Sequence, residues 1–199
     1  SVVPPLTSVL QDAVRTLLGI EPFTVGSGTR TGIRVLYDSP KDVGSDRIVD
    51  AAAAYFYYGA PAIIVDFGTA TVFDAIAKDG SYLGGAIAPG LNVSLESLFT
   101  STSQLRRIEL AAPTSAIGKN TIHSMQSGLV LGYVGLVETM IARFKSEMAN
   151  PDIKVIATGG SAGLILEHTN SINVIDEDLT LRGLRYIYSL NLTGSGNKQ

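Results

Sequence analysis

The chain contains no cysteine, which excludes disulfides, thiolate metal sites and a cysteine nucleophile. A cysteine-free sequence is compatible with the cytoplasm. Cations are few: 15 Lys and Arg stand against 18 Asp and Glu, for a net charge of −3. They are scattered, and Arg106–Arg107 is the one tight pair. Binding to nucleic acid needs concentrated cations, so no nucleic-acid partner is expected. Long apolar runs are also missing. The longest weakly polar stretch, Ala51–Val65, is interrupted by Pro61 and is shorter than a bilayer span, so no membrane partner is expected. The start of the chain carries no signal-peptide pattern. There is no G-x-x-x-x-G-K-[ST] phosphate loop, no His/Asp/Glu group with structural-zinc spacing and no visible hydrolase triad.

What remains is a globular composition, with 199 residues, 45% of them apolar, and 21 glycines that follow no three-residue period. That length suits one large domain or two small ones with a core of their own. The sequence opens inside an apolar run, Ser1–Val3, which reads as the end of a strand stopped by Pro4–Pro5 and leads to the expectation of further sequence upstream. Apolar residues at 6, 9, 10, 13, 14, 17 and 18 have helical spacing, with Gly19 as a stop. Phe23–Val25 and Ile33–Tyr37 read as short strands, and Ile48–Tyr58 as an alanine-rich helix. Ala62–Val65 reads as an interior strand, Val72–Ala77 and Ser81–Ile87 as its antiparallel continuation through an Asp79–Gly80 turn. Helices are expected at Asn92–Phe99, Asn120–Met148, Ser161–Glu167 and Thr180–Leu190, and strands at Asp152–Ala157 and Ile172–Ile175. The tail Thr193–Gln199 is polar and expected to fray. The sum is α/β with a mixed sheet. Gly128, Gly132 and Gly135 form a stripe on the long helix, which suggests close backbone approach of another element.

Four segments carry chemistry. Asp66–Phe67–Gly68–Thr69 follows a buried strand; the Gly–Thr amides and hydroxyl suit a phosphate, and Asp66 suits a cation beside it. The same residues also suit the plain capping of a hairpin turn. Gly44–Ser45–Asp46–Arg47 opens a helix. Arg47 is suited to clamp a carboxylate and Asp46 to accept a proton from a hydroxyl, whereas an Asp cap with an exposed Arg is the simpler alternative. Thr158–Gly159–Gly160 joins a strand to a helix, a place where backbone approaches a nucleotide. Asp74 sits within a strand, which is unusual unless it is paired or functional; an exposed edge-strand face is the alternative. His123 reads as an early-helix surface or core-edge residue rather than a ligand.

The order SVVP, VGSDRIVDAAAA, IIVDFGTATVFD, YLGGAIAPGL, IGKNTIHSMQSG, VIATGG and DEDLTLRGL resembles the type III pantothenate kinase family from Ser1 to about Tyr188. The resemblance implies the ribonuclease H-like fold of the acetate and sugar kinase, heat-shock ATPase and actin superfamily, a mixed sheet flanked by helices. It implies residues 1–57 as the end of a first, incomplete domain, 58–176 as a second domain and 177–199 as a C-terminal helix returning to the first. The implied activity is ATP-dependent phosphorylation of the pantothenate hydroxyl, the first step toward coenzyme A, with Mg²⁺–ATP, a monovalent cation (K⁺ or NH₄⁺) and a homodimer. By the same likeness Asp46 is the base, and Tyr37, Gly44, Ser45, Asp46, Arg47 and Thr121 hold pantothenate, Thr121 from across the dimer. Gly68, Thr69, Thr158, Gly159 and Gly160 contact ATP, and Asp66 holds the monovalent cation. The sequence departs from the family pattern at Val72, Ser45 and Arg106, and the family's opening Asp-x-Gly-Asn-Thr loop has no match. That departure keeps a second reading open: a catalytically incomplete dimeric homologue that serves as a ligand-binding or transcriptional accessory protein.

Overall fold

The computed structural model describes residues 3–192. β1 (Ala62–Phe67), β2 (Ala70–Ile76), β3 (Tyr82–Pro89), β4 (Lys154–Thr158) and β5 (Val174–Ile175) form one sheet in the order β3–β2–β1–β4–β5. The first three make an antiparallel meander, while β4 runs parallel to β1 and β5 parallel to β4. The sheet is mixed because a tight turn suffices between β1, β2 and β3, whereas a parallel return needs a long crossover. That crossover contains α3 (Leu91–Ser101) and α4 (Thr121–Glu147).

Strand alternation divides the core in two. Ile63, Val65, Phe67 and Phe73 enter a core covered by α3, α4 and α5 (Ala162–Leu166). Ala62, Ile64, Ile76, Tyr82 and Ile156 enter a second core, covered by α2 (Ser45–Tyr58) and by Leu179 at the start of α6 (Leu179–Leu192). α6 lies along α2, and Val49, Ala52 and Ile187 are buried between them. The same alternation places Asp66 and Asp74 on the α2 face of the sheet, and this decides where the chemistry lies.

Several expected elements shift. Phe23–Val25 forms no strand; Phe23 instead packs edge-on against Tyr188 of α6, with no strand beside it to pair with. Ile33–Tyr37 shrinks to one bridge, Val35 with Tyr82, where Leu36 N–H donates to the Tyr82 carbonyl at 2.8 Å. Val3 is the extended cap of α1 (Pro4–Leu18); the strand expected at Ser1–Val3 otherwise lies outside the described residues, as does the tail Thr193–Gln199. The glycine stripe on α4 meets no neighbouring element among the described residues. A Cβ at Gly128, Gly132 or Gly135 would find no atom within 4 Å. α4 is also long and apolar enough by composition to cross a bilayer; here Met125, Leu129, Val130 and Val137 are buried in the fold.

Candidate active site at the start of α2 and the end of β1

Gly44 caps α2, and the helix opens with Ser45–Asp46–Arg47. The Arg47 backbone N–H donates to Asp46 Oδ1 at 2.8 Å, which fixes one carboxylate oxygen at the positive end of the helix. Consecutive helical residues diverge by about 100°, so the two side chains part company. Asp46 lines a cavity of about 410 Å³ between α1, α2 and α6, together with Ser45, Thr180 and Leu184. Arg47 turns to the sheet.

There its Nε and Nη2 both donate to Asp74 Oδ1, at 3.0 and 2.7 Å, and the Tyr82 hydroxyl donates to the same oxygen at 2.8 Å. Both charged side chains are nearly buried, at 10% and 3% exposure. Asp74 is therefore not on an exposed edge: β2 lies between β1 and β3, and Asp74 faces α2. The guanidinium also lies over the Tyr82 ring, 5.8 Å from its centre, and Tyr37 packs beside that ring at 6.4 Å. Gly85, the register partner of Asp74, makes the arrangement possible. A Cβ there would fall 1.8 Å from the Phe73 carbonyl oxygen and 2.8 Å from Arg47 Nη2.

Asp66, the penultimate residue of β1, stands in register with Thr158 of β4 and Val72 of β2. The Gly68–Thr69 turn that follows is clasped from both sides. Gly90 N–H donates to the Thr69 carbonyl at 3.0 Å, and Ser161 N–H donates to the Phe67 carbonyl at 3.2 Å. Gly159, at φ +91°, lies against Asp66, where a Cβ would stand 2.5 Å from its Oδ1. Gly68, Thr69, Gly160 and Ser161 line one cavity of about 470 Å³, and Asn92, Glu96 and Arg107 line it too. Thr158 is buried at the end of β4 behind it.

The carboxylates are mutually coupled. Burial raises the pKa of Asp66, and the charges on Asp46 and Asp74 raise it further. Burial likewise pushes Asp74 up, more strongly than Arg47 and Tyr82 pull it down. Asp50, one turn after Asp46 on α2, is 3% exposed, and its Oδ1 has no hydrogen-bond partner. Burial pushes its pKa up to about 7, aided by Asp66, Asp74 and Asp46.

The structure thus gathers Asp46, Asp66 and Asp74 into one electrostatic neighbourhood, and groups Tyr37 with Arg47 and Gly68 with Thr69 and Gly160. Thr121 stands apart, at the first turn of α4 in another cavity of about 680 Å³ with Lys119, Asn120 and Ser124. Asn120 is the cap of α4, accepting from His123 N–H at 2.9 Å, and His123 is exposed. Sequence reasoning passed over Asp50, Tyr82 and Gly85. Of these, only Asp50 left a signal, as a lone carboxylate four residues from Asp46 within an alanine helix.

A carboxylate and an arginine at a helix start, beside a strand-end aspartate and a clasped Gly–Thr turn, make a site of the phosphotransferase class. The comparisons with known proteins carry this to a family. The type III pantothenate kinase family model matches residues 1–143. The type III pantothenate kinase of Myxococcus xanthus is 50% identical over 191 residues, spanning 96% of this chain and 74% of its own. That of Citrifermentans bemidjiense is 53% identical over 192 residues, spanning 96% and 75%. Among solved structures, a Baf family protein from Campylobacter jejuni superposes with a TM-score of 0.57 at 23% identity, over 79% of this chain and 70% of that one, a likeness of fold alone. The chain belongs to the type III pantothenate kinase family. Its activity is phosphoryl transfer to pantothenate.

Proposed function

We propose that Asp46 is the base of this reaction, taking the proton from the pantothenate hydroxyl as its oxygen bonds to the terminal phosphorus of ATP and ADP leaves. The observation that carries this reading is the division of labour at the start of α2. Asp46 is fixed at the helix end and faces a cavity, while Arg47 is held rigidly on Asp74. Two of the five guanidinium N–H donors are committed to Asp74. Arg47 then presents a fixed positive edge to the substrate carboxylate, and Tyr37, Gly44 and Ser45 complete the substrate wall. Thr121 acts on the substrate of a second copy in a homodimer. Its separate cavity and the uncovered glycine face of α4 support that arrangement.

The nucleotide lies against Gly68, Thr69 and the Thr158–Gly160 turn, and Mg²⁺ arrives with it. Asp66 fits a monovalent cation. It is a single half-buried carboxylate crowded by like charges, and a bound cation would offset both. Such a cation would supply positive charge beside the transferring phosphate. The close packing of α6 on α2 supports a C-terminal helix that returns to the first part of the chain. We place the enzyme in the cytoplasm.

Turnover of pantothenate and ATP tests this reading, with K⁺ exchanged for Na⁺. Phosphopantothenate formation that depends on K⁺ is expected. Turnover indifferent to the exchange would remove a K⁺-selective role for Asp66, and absence of product would count against catalysis itself.

A further inference from the structure

The cavity beside the Gly68–Thr69 turn has an electrostatic difficulty. Asp66 stands at the foot of the same turn, with Asp46 and Asp74 close enough to raise its pKa. A polyphosphate brought here meets charges of its own sign, three carboxylates that one monovalent cation offsets only in part. Among the described residues that line the cavity, Arg107 is the one cation.

Arg107 is held in place by its neighbours in sequence. The segment between α3 and α4 has no regular structure, yet Leu105 and Ile108 pack against the core under the sheet. The Gln126 side chain also donates to the Glu109 carbonyl at 3.0 Å, tying the segment to α4. The backbone is thus pinned on both sides of Arg107 while its side chain stays 74% exposed at the cavity. Its guanidinium touches Glu96, on the α3 wall, through one contact of 3.4 Å, and Glu96 is itself 47% exposed. A single exposed ion pair at that distance contributes little to stability. It is also easily exchanged. A phosphate offers two oxygens matched to the planar guanidinium fork, at shorter distance and with more charge than one carboxylate oxygen.

We propose that Arg107 binds the phosphates of the nucleotide, and that Glu96 is its resting partner, released when the polyphosphate enters. The proposal deepens the kinase reading above and rests on it for the nucleotide's position. Glu96 then acts as a competitor: it holds the guanidinium at the cavity mouth and sets how readily it is given up. The hydroxyls of Thr69 and Ser161 and the amide of Asn92 provide the neutral remainder of the site.

The test compares wild type, Arg107→Ala, Arg107→Lys and Glu96→Gln in the full chain. For Arg107→Ala the KM for ATP is expected to rise about tenfold or more, as for loss of a charge-assisted hydrogen bond. The KM for pantothenate should stay within about twofold, because Arg107 lies outside the substrate wall. Arg107→Lys keeps the charge but loses the fork, and should fall between. Glu96→Gln should lower the KM for ATP by roughly twofold to fivefold. Inhibition by ADP should weaken in Arg107→Ala while inhibition by adenosine is unchanged. An unchanged KM for ATP in Arg107→Ala overturns the proposal. So does equal weakening of ADP and adenosine, which would place Arg107 on the base, and so does a raised KM in Glu96→Gln. Arg107→Lys guards against misfolding of the alanine variant. Wild-type turnover in the same assay reports on the kinase reading by itself. Calorimetric titration of ADP into wild type and Arg107→Ala reads the Arg107 contact without any turnover.

Discussion

Arg47 and Asp74 are joined through one oxygen. Both Nε and Nη2 of the arginine donate to Asp74 Oδ1, and the Tyr82 hydroxyl donates to the same atom. The pair joins the first turn of α2 to the second strand of the sheet, 27 residues apart. It turns a surface-seeking side chain into a fixed part of the site.

Removal of Asp74 leaves a nearly buried guanidinium without its partner. Breaking a buried pair from one side costs about 3–5 kcal/mol, so Asp74→Ala should lose stability on that scale in urea unfolding. Asp74→Asn retains an acceptor and should lose less. Both should raise the KM for pantothenate, because Arg47 no longer has a single position. A change in stability below about 1 kcal/mol in Asp74→Ala would contradict the burial argument.

Gly85 admits no substitute. Because an added methyl would sit 1.8 Å from the Phe73 carbonyl oxygen, Gly85→Ala must move backbone between β2 and β3. The expected loss is about 2 kcal/mol or more, with a drop in kcat/KM as Arg47 is displaced. Stability and turnover like those of wild type would show that the two strands separate without cost.

Asp50 makes stability depend on pH. Its pKa rises from 3.8 in the unfolded chain to about 7 in the fold, chiefly through burial. The folded protein therefore binds this proton more tightly, and stability falls as pH rises through the window between those values. The full difference corresponds to a penalty of up to about 4 kcal/mol above pH 7. Asp50→Asn carries no charge to bury. Its Tm should exceed that of wild type by several degrees at pH 8, with the gap closing toward pH 4. Parallel Tm curves for the two proteins would rule this out.

Asp176 anchors α6 in a second ion pair. It accepts from the Tyr58 hydroxyl at 2.7 Å and from Arg182, whose guanidinium lies 3.9 Å from the centre of the Tyr57 ring. Asp176 is buried and Arg182 partly exposed, at 7% and 39%. Asp176→Ala should destabilise by about 1–3 kcal/mol, mainly by stranding the Tyr58 hydroxyl and the Asp178 N–H. Equilibrium unfolding measures it, and a change near zero would mean that water replaces the carboxylate.

The elements legible in the sequence were those with strong period and clear punctuation. β1 through β3 follow from apolar runs and the Asp79–Gly80 turn, and α4 from its apolar spacing. Phe23–Val25 and Ile33–Tyr37 were misread because β-branched and aromatic residues mark a strand only where a neighbour exists to pair with, and Tyr82 offers just one bridge. Asp46 and Asp66 stood out in the sequence as candidates, each near the end of an element and two residues from a glycine. The Arg47–Asp74 pair was not legible, because it joins residues far apart whose meeting depends on which face of β2 turns toward α2. Asp74 stood out as anomalous, but its partner depends on sheet register. Gly85 matters only through the atoms that pass over it, which no local pattern reveals.

The central claim is that Asp46 takes the proton from the pantothenate hydroxyl, and Asp46→Asn tests it most directly. Asparagine keeps the shape and an oxygen that accepts the Arg47 N–H, but it is not a base at neutral pH. Turnover and calorimetric affinity for pantothenate should be measured side by side. The expected result is a loss of turnover of roughly a hundredfold or more with pantothenate affinity nearly unchanged. Turnover within a fewfold of wild type would contradict the assignment.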